Sequence, residues 1–457
     1  MGHAELSPGI ARWRAFLGAR WPAQLSAALL LGVWVCEISL LLSWRPWLSH
    51  LAMGALVAFL GLALLRASSH IRLLFAVVCT VAGGLTLWQH DAAGVMKGLS
   101  QAQIFGGFLP SVLLLRATVQ LSPHRAHLQD RMGLLSSAQA QHWTLLGSHA
   151  LSAVLNVGAM AVIAPVVTRG ADANFRAQLA VCAARGVGAS IMWSPIFVAM
   201  AFTSSLVPAA PLWQVMGLGA GLAVMALVLA QAIFIPGLKA SEALASVRAL
   251  WPLTLPMSFL LGGVLLLTVW GYSGLQAVTL ALPALCIPYL CTRGVSVVHQ
   301  ACRATWGHFS RLSDELLIIV GAQVMGVCLA GLPEVQHAAQ TVLPSLVSGG
   351  LLITLLVVTL VSLGQLGLHP MIGVSLLVPM VSTGPFGIAP IALVSAGVFA
   401  WGLSAALAVW TLPVAVAATT FEVPVSRLLT RQGAWWGVLT GALGCAYLAG
   451  INAWLVH

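Results

Sequence analysis

The sequence predicts an all-α polytopic membrane protein of two inverted repeats, each with a re-entrant helical hairpin and a broken helix. Of the 457 residues, 60% are hydrophobic and only 7% are charged, whereas a soluble domain carries about 25% charged residues. The apolar residues fall into runs that match about eleven membrane-crossing helices. Two interrupted apolar segments also recur at a fixed spacing, which is typical of secondary transporters.

Short matches that share one offset indicate the internal repeat. Leu155-Asn156-Val157 precedes His369-Pro370-Met371 by 214 positions, and the same offset joins Gly188-Ala-Ser190 to Gly402-Leu-Ser404. Because two separate elements share this offset, a duplication explains the matches better than chance does.

Basic flanks predict that residues 142–168 enter the membrane and turn back. Arg125 and Arg131 precede this segment, and Arg169 and Arg176 follow it. Since basic residues mark cytoplasmic loops, a hairpin keeps all four on the inner side, whereas a crossing helix would place one pair outside. A single, slightly polar crossing helix is the alternative.

The flanks of residues 345–383 predict the opposite direction for the second hairpin. Neither Leu332–Val342 before it nor Gly384–Ala389 after it holds a Lys or Arg. We therefore expect an outer hairpin, which enters the membrane from the side without basic loops.

The remaining runs divide the chain into predicted domains. Residues 1–48 form a cytoplasmic lead and an extra span, and residues 236–250 link repeat one (49–235) to repeat two (251–457). The predicted spans are 24–43, 49–65, 72–88, 101–118, 175–206, 212–235, 251–271, 275–292, 312–331, 388–415 and 434–455. Residues 293–311 read as an interfacial helix on the inner face.

Charge and cysteine content limit the partners and the compartment. Lys and Arg concentrate in the predicted inner loops, so the net charge of +10 indicates topology in a lipid bilayer rather than nucleic-acid binding. This pattern predicts a multi-pass protein of a bacterial-type inner (plasma) membrane with a cytoplasmic N-terminus. The eight cysteines are scattered, so we expect no disulfide, metal site or bound cofactor.

The chain resembles the ion transporter superfamily, and most closely its divalent anion/sodium symporters. The resemblance rests on two sets of residues: Leu155-Asn156-Val157, Pro165, Arg185-Gly-Val-Gly188-Ala-Ser190 and Pro195, then His369-Pro370-Met371, Pro379, Trp401-Gly402-Leu-Ser404 and Pro413. Of the family's Ser-Asn-Thr tips, the first keeps only Asn156 and the second keeps none. The resemblance implies alternating access with hairpins that move against a scaffold, Na+ or H+ coupling and a homodimer. A soluble binding protein is left open as a partner.

The predicted substrate site lies where both tips and both broken helices converge near the midplane. Half-helix N-termini carry about half a positive charge and attract an anion, and glycines let backbone approach a ligand. The candidate substrate-binding residues are Asn156, Val157, Gly158, Arg185, Gly188, Ser190, His369, Pro370, Gly402 and Ser404.

Three ionisable residues in this region have alternative interpretations. Arg185 is predicted to clamp a carboxylate through its guanidinium, or else to snorkel inward or pair with Glu37 or a carbonyl. Glu37 and His369 are candidates for proton coupling, because a carboxyl or imidazole group can take up a proton. Glu37 can instead be a structural partner, and His369 a hydrated turn residue.

These patterns predict a secondary active transporter, not an enzyme, that moves a small organic anion such as a carboxylate with a coupling cation. A membrane-embedded enzyme acting on a lipid substrate and a lipid flippase are the alternatives. The ten acidic residues and the short predicted outer loops argue against the enzyme.

Overall fold

The computed structural model describes residues 20–43, 45–89, 92–121, 136–168, 170–237, 239–337, 340–341 and 347–456. Throughout these ranges the regular structure is helical, with no strand. Residues 1–19 of the predicted lead and the loop residues Arg125 and Arg131 lie outside the described residues, as does Arg169.

Twenty α-helices are described in these ranges. They are α1 Arg20–Leu42, α2 Pro46–Arg66, α3 Ser69–Gln89, α4 Ala93–Ala102, α5 Phe105–Gln120, α6 Ser137–Leu155, α7 Ala159–Val167, α8 Ala173–Ile191, α9 Val198–Leu206, α10 Leu212–Phe234, α11 Ala240–Val269, α12 Gly274–Thr292, α13 Val295–Phe309, α14 Ser313–Ala330, α15 Pro333–His337, α16 Gly349–Gln365, α17 Pro370–Ser382, α18 Pro390–Leu407, α19 Leu412–Thr420 and α20 Arg431–Val456.

The protein is an all-α multi-pass membrane protein. Ten helical segments among the described residues are long and apolar enough to cross a bilayer, and each predicted span coincides with a helix or a broken pair of helices. Helix α8 is not among the ten, since it carries Arg176 and Arg185 and is less apolar. Its residues from Leu179 to Ile191 are all buried, so it needs no lipid-facing surface.

Two compact units each combine segments from both halves of the chain. Unit 1 comprises Met1–Thr118 and Leu282–Cys328, and unit 2 comprises Val119–Ala281 and Leu329–His457. These units do not follow the predicted boundaries of the two sequential repeats. The repeat boundaries therefore stay a prediction.

Unit 1 is held together by close helix packing and by side-chain hydrogen bonds. The indole of Trp34 on α1 donates to Ser111 Oγ on α5 at 2.9 Å, and Gln323 on α14 donates to Gln101 at 2.9 Å. A Cβ on Gly98 of α4 would lie 2.6 Å from Val324 Cα, so only glycine permits this approach. Helix α13 lies where the interfacial helix is predicted, whereas the short helix α4 lies mostly between the predicted spans 72–88 and 101–118.

In unit 2 the first hairpin is formed by α6 and α7. A Cβ on Gly147 would lie 3.6 Å from Ile163 Cδ1. In one continuous helix these residues would be about 24 Å apart at a rise of 1.5 Å per residue. The chain therefore doubles back around Asn156–Gly158, which form a single 3-10 turn. This geometry excludes the alternative of a single crossing helix.

The second hairpin is formed by α16 and α17. A Cβ on Gly373 would lie 2.7 Å from Leu360 Cδ2 and 3.4 Å from Leu363 Cδ1, so the two helices lie antiparallel and in close contact. With 17 residues, α16 is about 25 Å long, which is more than half of a hydrocarbon core of about 30 Å.

Helix directions in unit 2 bring the two hairpins in from opposite faces. Helices α6 and α8 run parallel, because Gln141 pairs with Gln178 at 2.5 Å and Ala153 O accepts from Ser194 Oγ at 2.8 Å. Helices α16 and α18 also run parallel, since Gly349 packs on the carbonyls of Phe386 and Gly387 while Gly364 packs on Ser404.

The central helices α8 and α18 run antiparallel. Arg185 bonds Ala406 O near the end of α18, whereas Met192 packs on Gly402, one turn earlier in α18. The two hairpins therefore have opposite topology, and the inverted arrangement in the fold prediction is confirmed. Which face is cytoplasmic stays a prediction.

Two short helices, one from each half of unit 2, pack against the opposite half. Helix α9 packs on α17 and α18, and α19 packs on α7 and α8. The bounds of α9 and α19 are 214 residues apart at both ends, which matches the offset of the sequence repeat. The second half of each broken helix thus lies against the other half's hairpin.

Candidate functional site

The first tip is a strained turn centred on Asn156. Ser136 caps the start of α6 through a reciprocal bond pair with Gln139, and the helix ends where Asn156 adopts φ 55 and ψ −146. This region is sparsely populated by residues other than glycine and costs about 1–3 kcal/mol. The Asn156 Oδ1 atom accepts from Val157 N at 2.7 Å, which holds the turn.

The first tip is more accessible than the helices that carry it. Asn156, Val157 and Gly158 are half-buried, whereas Leu155 and Ala159 on either side are buried. Helix α7 begins at Ala159, whose N–H donates to the carbonyls of Asn156 and Val157 in the preceding 3-10 turn. The positive end of this helical segment therefore lies at the half-buried turn, where Asn156 Oδ1 already accepts from Val157 N.

The second tip turns on glycine and ends on a capped helix. Gly367 has φ 91, a conformation that costs glycine little. His369 is exposed, and its Nδ1 accepts from Met371 N at 3.3 Å at the start of α17. Pro370 follows it in the first turn and has no N–H to offer. The N-terminus of α17 is therefore capped by the His369 side chain.

The broken helices cross where the two repeat-related glycines meet. A Cβ on Gly188 would lie 2.8 Å from Gly402 O, and a Cβ on Gly402 would lie 2.7 Å from Gly188 O. The contact is reciprocal, as at a two-fold axis. The structure thus brings Gly188 and Gly402 together for close backbone packing, and the sequence offset could have identified the pair.

Arg185 contacts neither tip. Its guanidinium bonds Ala406 O, near the C-terminal end of α18, and lies over the Trp436 ring at 5.1 Å and the Phe234 ring at 5.9 Å. A side-chain cation satisfies a helix-terminal carbonyl and interacts favourably with the helix dipole. These contacts favour the alternative in which Arg185 pairs with a carbonyl, and the predicted carboxylate clamp stays untested.

The two candidate serines are fully buried and face protein. Ser190 Oγ donates to Val187 O at 2.8 Å within its own helix. Ser404 packs on Gly364 of the second hairpin and lies 3.5 Å from Val361 O. Ser404 therefore fixes α16 against α18, and Ser190 bonds the preceding turn of its helix.

Glu37 belongs to unit 1, whereas the residues of both tips belong to unit 2. It is 5% exposed, and its Oε1 accepts from Gln103 Nε2. Gln103 follows directly after α4, so this pair connects α1 to the loop between α4 and α5. The arrangement supports a structural role, and proton coupling by Glu37 stays a prediction.

Sequence reasoning did not single out the pairing of histidines with tryptophans on both hairpins. Trp193, in the first break, donates to His149 Nε2 at 3.3 Å, and His369 packs edge-on to Trp401 with centroids 5.8 Å apart. Trp410, in the second break, is 73% exposed. These tryptophans lie in the interior of predicted spans, away from the interfacial belt. That position was the sequence signal that could have indicated the pairs.

Two polar contacts join α8 to the segment after α19 at one face of unit 2. Arg176 pairs with Glu422 at 2.5 Å, and Arg427 donates to Asn174 at 2.9 Å. Both segments were predicted to lie on the cytoplasmic side, and their contact places them on the same side.

Comparison with known protein families and with curated proteins finds no match to this sequence.

Proposed function

We propose that the protein is a secondary active transporter of a small organic anion, working by alternating access. The observation that carries this proposal is the pair of hairpins that enter unit 2 from opposite faces, each with a helix starting at its tip. Interrupted helices arranged in this inverted way are typical of transporters that bind a substrate near the midplane.

The sign of the proposed substrate follows from the helix directions. Both α7 and α17 begin at the tips, so each has the positive end of its dipole at a tip. An anion gains from these partial charges, whereas a cation is repelled. Backbone N–H groups at a helix N-terminus bind carboxylates in many proteins.

The breaks in the central helices supply the second element of the proposal. The chain leaves helical geometry at 192–197 after α8 and at 408–411 after α18. Unwound carbonyls at such breaks coordinate coupling ions in transporters. We propose Na+ or H+ as the coupling ion, with His369 and Glu37 as the residues that would carry a proton.

The cell location is also a proposal. We place the chain in a bacterial-type plasma membrane with the basic loops and the N-terminus in the cytoplasm. A homodimer is a proposal from the family resemblance, and a soluble binding protein stays open as a partner. Fusion of alkaline phosphatase after Val456 should give active enzyme, since the C-terminus would be outside, and an inactive fusion would reverse the topology.

Uptake into proteoliposomes tests the function directly. Purified protein should accumulate a radiolabelled carboxylate against its gradient when a sodium or proton gradient is imposed, and uptake should stop when that gradient is collapsed. A lipid flippase would move fluorescent lipid without carboxylate uptake, and an enzyme would convert a lipid substrate. Either result would contradict the proposed transport of a carboxylate and support the corresponding alternative function.

A further inference from the structure

Helix α13 lies in the chain between two helices that each match the thickness of a bilayer core. With 19 residues α12 is about 28 Å long, and with 18 residues α14 is about 27 Å long, against a hydrocarbon core of about 30 Å. Gly294, with φ 101, follows the first of these helices, and the 3-10 turn Ser310–Leu312 precedes the second. We therefore place α13 at a surface of the membrane, outside the hydrocarbon core.

Helix α13 has a buried side and an exposed side. The buried residues Ala301, Thr305 and Phe309 recur once per helical turn, and Phe309 packs edge-on to Trp34 of α1 with ring centroids 6.0 Å apart. The exposed side carries Val295, His299, Arg303 and Trp306, which recur every three or four residues. One side thus attaches α13 to unit 1, and the described residues leave the other side uncovered.

The exposed side of α13 and its two ends form a basic surface, which consists of Arg293, Arg303 and Arg311. All three arginines are exposed, and no Asp or Glu occurs from Cys291 to Ser313. None of the three forms an ion pair or a side-chain hydrogen bond with another described residue. Their guanidinium groups are therefore available to a partner.

The acids nearest in the sequence do not neutralise this basic surface. Asp314 and Glu315 begin α14. Glu315 interacts electrostatically with Arg116 of α5, and Asp314 is half-buried and forms no ion pair with a described residue. The counter-charge for the basic surface must therefore come from outside the described part of the chain.

Apolar side chains border the basic surface and indicate what the partner is. Val295 is 86% exposed, and Trp306, less than one turn after Arg303, is 38% exposed. An acidic protein would be matched by charge, whereas the boundary between headgroups and acyl chains offers anionic phosphates beside apolar surface. Tryptophan is enriched at this boundary, and arginine binds phosphate oxygens through two parallel hydrogen bonds.

We propose that α13 binds anionic phospholipids, with Arg293, Arg303 and Arg311 on the headgroup phosphates and Val295 and Trp306 at the acyl-chain boundary. A zwitterionic headgroup carries its own cation beside the phosphate, so the net charge of the lipid decides the preference. Each basic residue near an anionic membrane surface favours binding about fivefold. The basic surface belongs to unit 1, and its assignment does not depend on the proposed transport function.

Quenching by spin-labelled lipids tests this assignment. Cys302 is exposed on α13 and can carry a fluorophore in an otherwise cysteine-free full-length protein, reconstituted in phosphatidylcholine vesicles. Phosphatidylglycerol with a spin label high on its acyl chain should quench the fluorophore at about a tenfold lower mole fraction than phosphatidylcholine with the same label. This preference should shrink as the salt concentration rises, because salt screens exposed charges.

Matched variants connect the preference to the arginines. Arg303→Gln should lower it about two- to fivefold, and replacement of Arg293, Arg303 and Arg311 together by Gln should remove it. Lys97→Gln, at an exposed position in α4 of the same unit and outside the basic surface, should leave it unchanged. Because all four positions are exposed, the variants should keep the melting temperature of the parent protein.

Three results would overturn the proposal. Equal quenching of the parent protein by the two lipids would show that α13 does not recognise headgroup charge. Absence of quenching by either lipid would show that the exposed side faces water or another protein. A preference that persists in the triple variant would assign the anionic lipid to a different surface.

Discussion

The two hairpins share one architecture but present different chemistry at their tips. The first turns on Asn156, a non-glycine residue with φ 55 whose Oδ1 accepts from Val157 N. The second turns on Gly367 with φ 91 and leads into α17, which His369 caps. The first tip thus keeps backbone strain, whereas the second tip turns on glycine and lies next to Trp401 and Trp410.

This difference shows how an inverted repeat can build an asymmetric site. The crossing of α8 and α18 keeps its symmetry, because a Cβ on either Gly188 or Gly402 would clash with the carbonyl oxygen of the other glycine. The tips have no such mutual constraint, so they could diverge. We therefore expect symmetric effects of substitutions at the crossing and unequal effects at the tips.

The largest effect is expected at Arg185, which contacts Ala406, Phe234 and Trp436 rather than residues of either tip. Arg185→Ala should lower the free energy of unfolding by about 2–5 kcal/mol, because it leaves a cavity and an unpaired carbonyl. Arg185→Met keeps most of the volume without the charge and should be much closer to the parent protein. Thermal unfolding in detergent, with substrate affinity measured in parallel, provides the test.

Substrate affinity decides between the two interpretations of Arg185. Folded Arg185→Met protein should bind the substrate as the parent does. If it has lost binding, the guanidinium contacts the substrate, and the predicted carboxylate clamp is supported instead.

The crossing should respond symmetrically. Gly188→Ala and Gly402→Ala should each cost about 1–3 kcal/mol, since an added Cβ would meet backbone at 2.8 and 2.7 Å. Gly217→Ala in α10 is the control, because nothing lies within 4 Å of its Cβ position. A large effect at one crossing glycine and none at the other would break the two-fold relation.

The tips should respond unequally to a change of the turn residue. Asn156→Gly should keep or raise stability by about 1 kcal/mol, since glycine tolerates the turn, yet lower uptake about tenfold if the amide contacts the substrate. Gly367→Ala should lower stability by about 1–2 kcal/mol. Melting temperature and uptake measured on both variants separate strain from binding.

The smallest effect is expected at the cap of α17. His369→Ala should cost about 1 kcal/mol by leaving Met371 N without its acceptor, and His369→Asn should restore most of it because asparagine caps well. Equal stabilities for the two variants would show that the cap does not stabilise α17. Uptake at several pH values in His369→Asn also tests whether this histidine carries the coupling proton.

Charge and periodicity predicted most of the fold but little of the site. The flanking arginines predicted the first hairpin. The shared offset matched Gly188 to Gly402, but the sequence assigned both glycines to ligand binding, whereas in the structure they pack on each other. The helix α4 was not predicted, since His90–Ser100 is too polar and short to show a span. Side-chain direction on a buried helix leaves no pattern in composition, so the sequence left open whether Arg185 clamps a carboxylate or pairs with a carbonyl. In the structure it contacts α10, α18 and α20.

The aromatic contacts at the second tip were also hidden from the sequence. Trp401 and Trp410 belong to a chain with 17 tryptophans, and many of these mark predicted membrane interfaces. Only the break at 408–411 brings Trp410 next to Gly367. A contact between residues 43 positions apart depends on the hairpin, which composition does not encode.

Labelling the open ends of both hairpins from each side of the membrane tests the central claim most directly. In a cysteine-free background, single cysteines at Ser136, Thr168, Ser348 and Thr383 would be treated with an impermeant maleimide in right-side-out and inverted vesicles. The account predicts that Ser136→Cys and Thr168→Cys react from one face, and Ser348→Cys and Thr383→Cys from the other. Reaction of Ser136→Cys and Thr168→Cys from opposite faces would mean a crossing helix and would contradict the account.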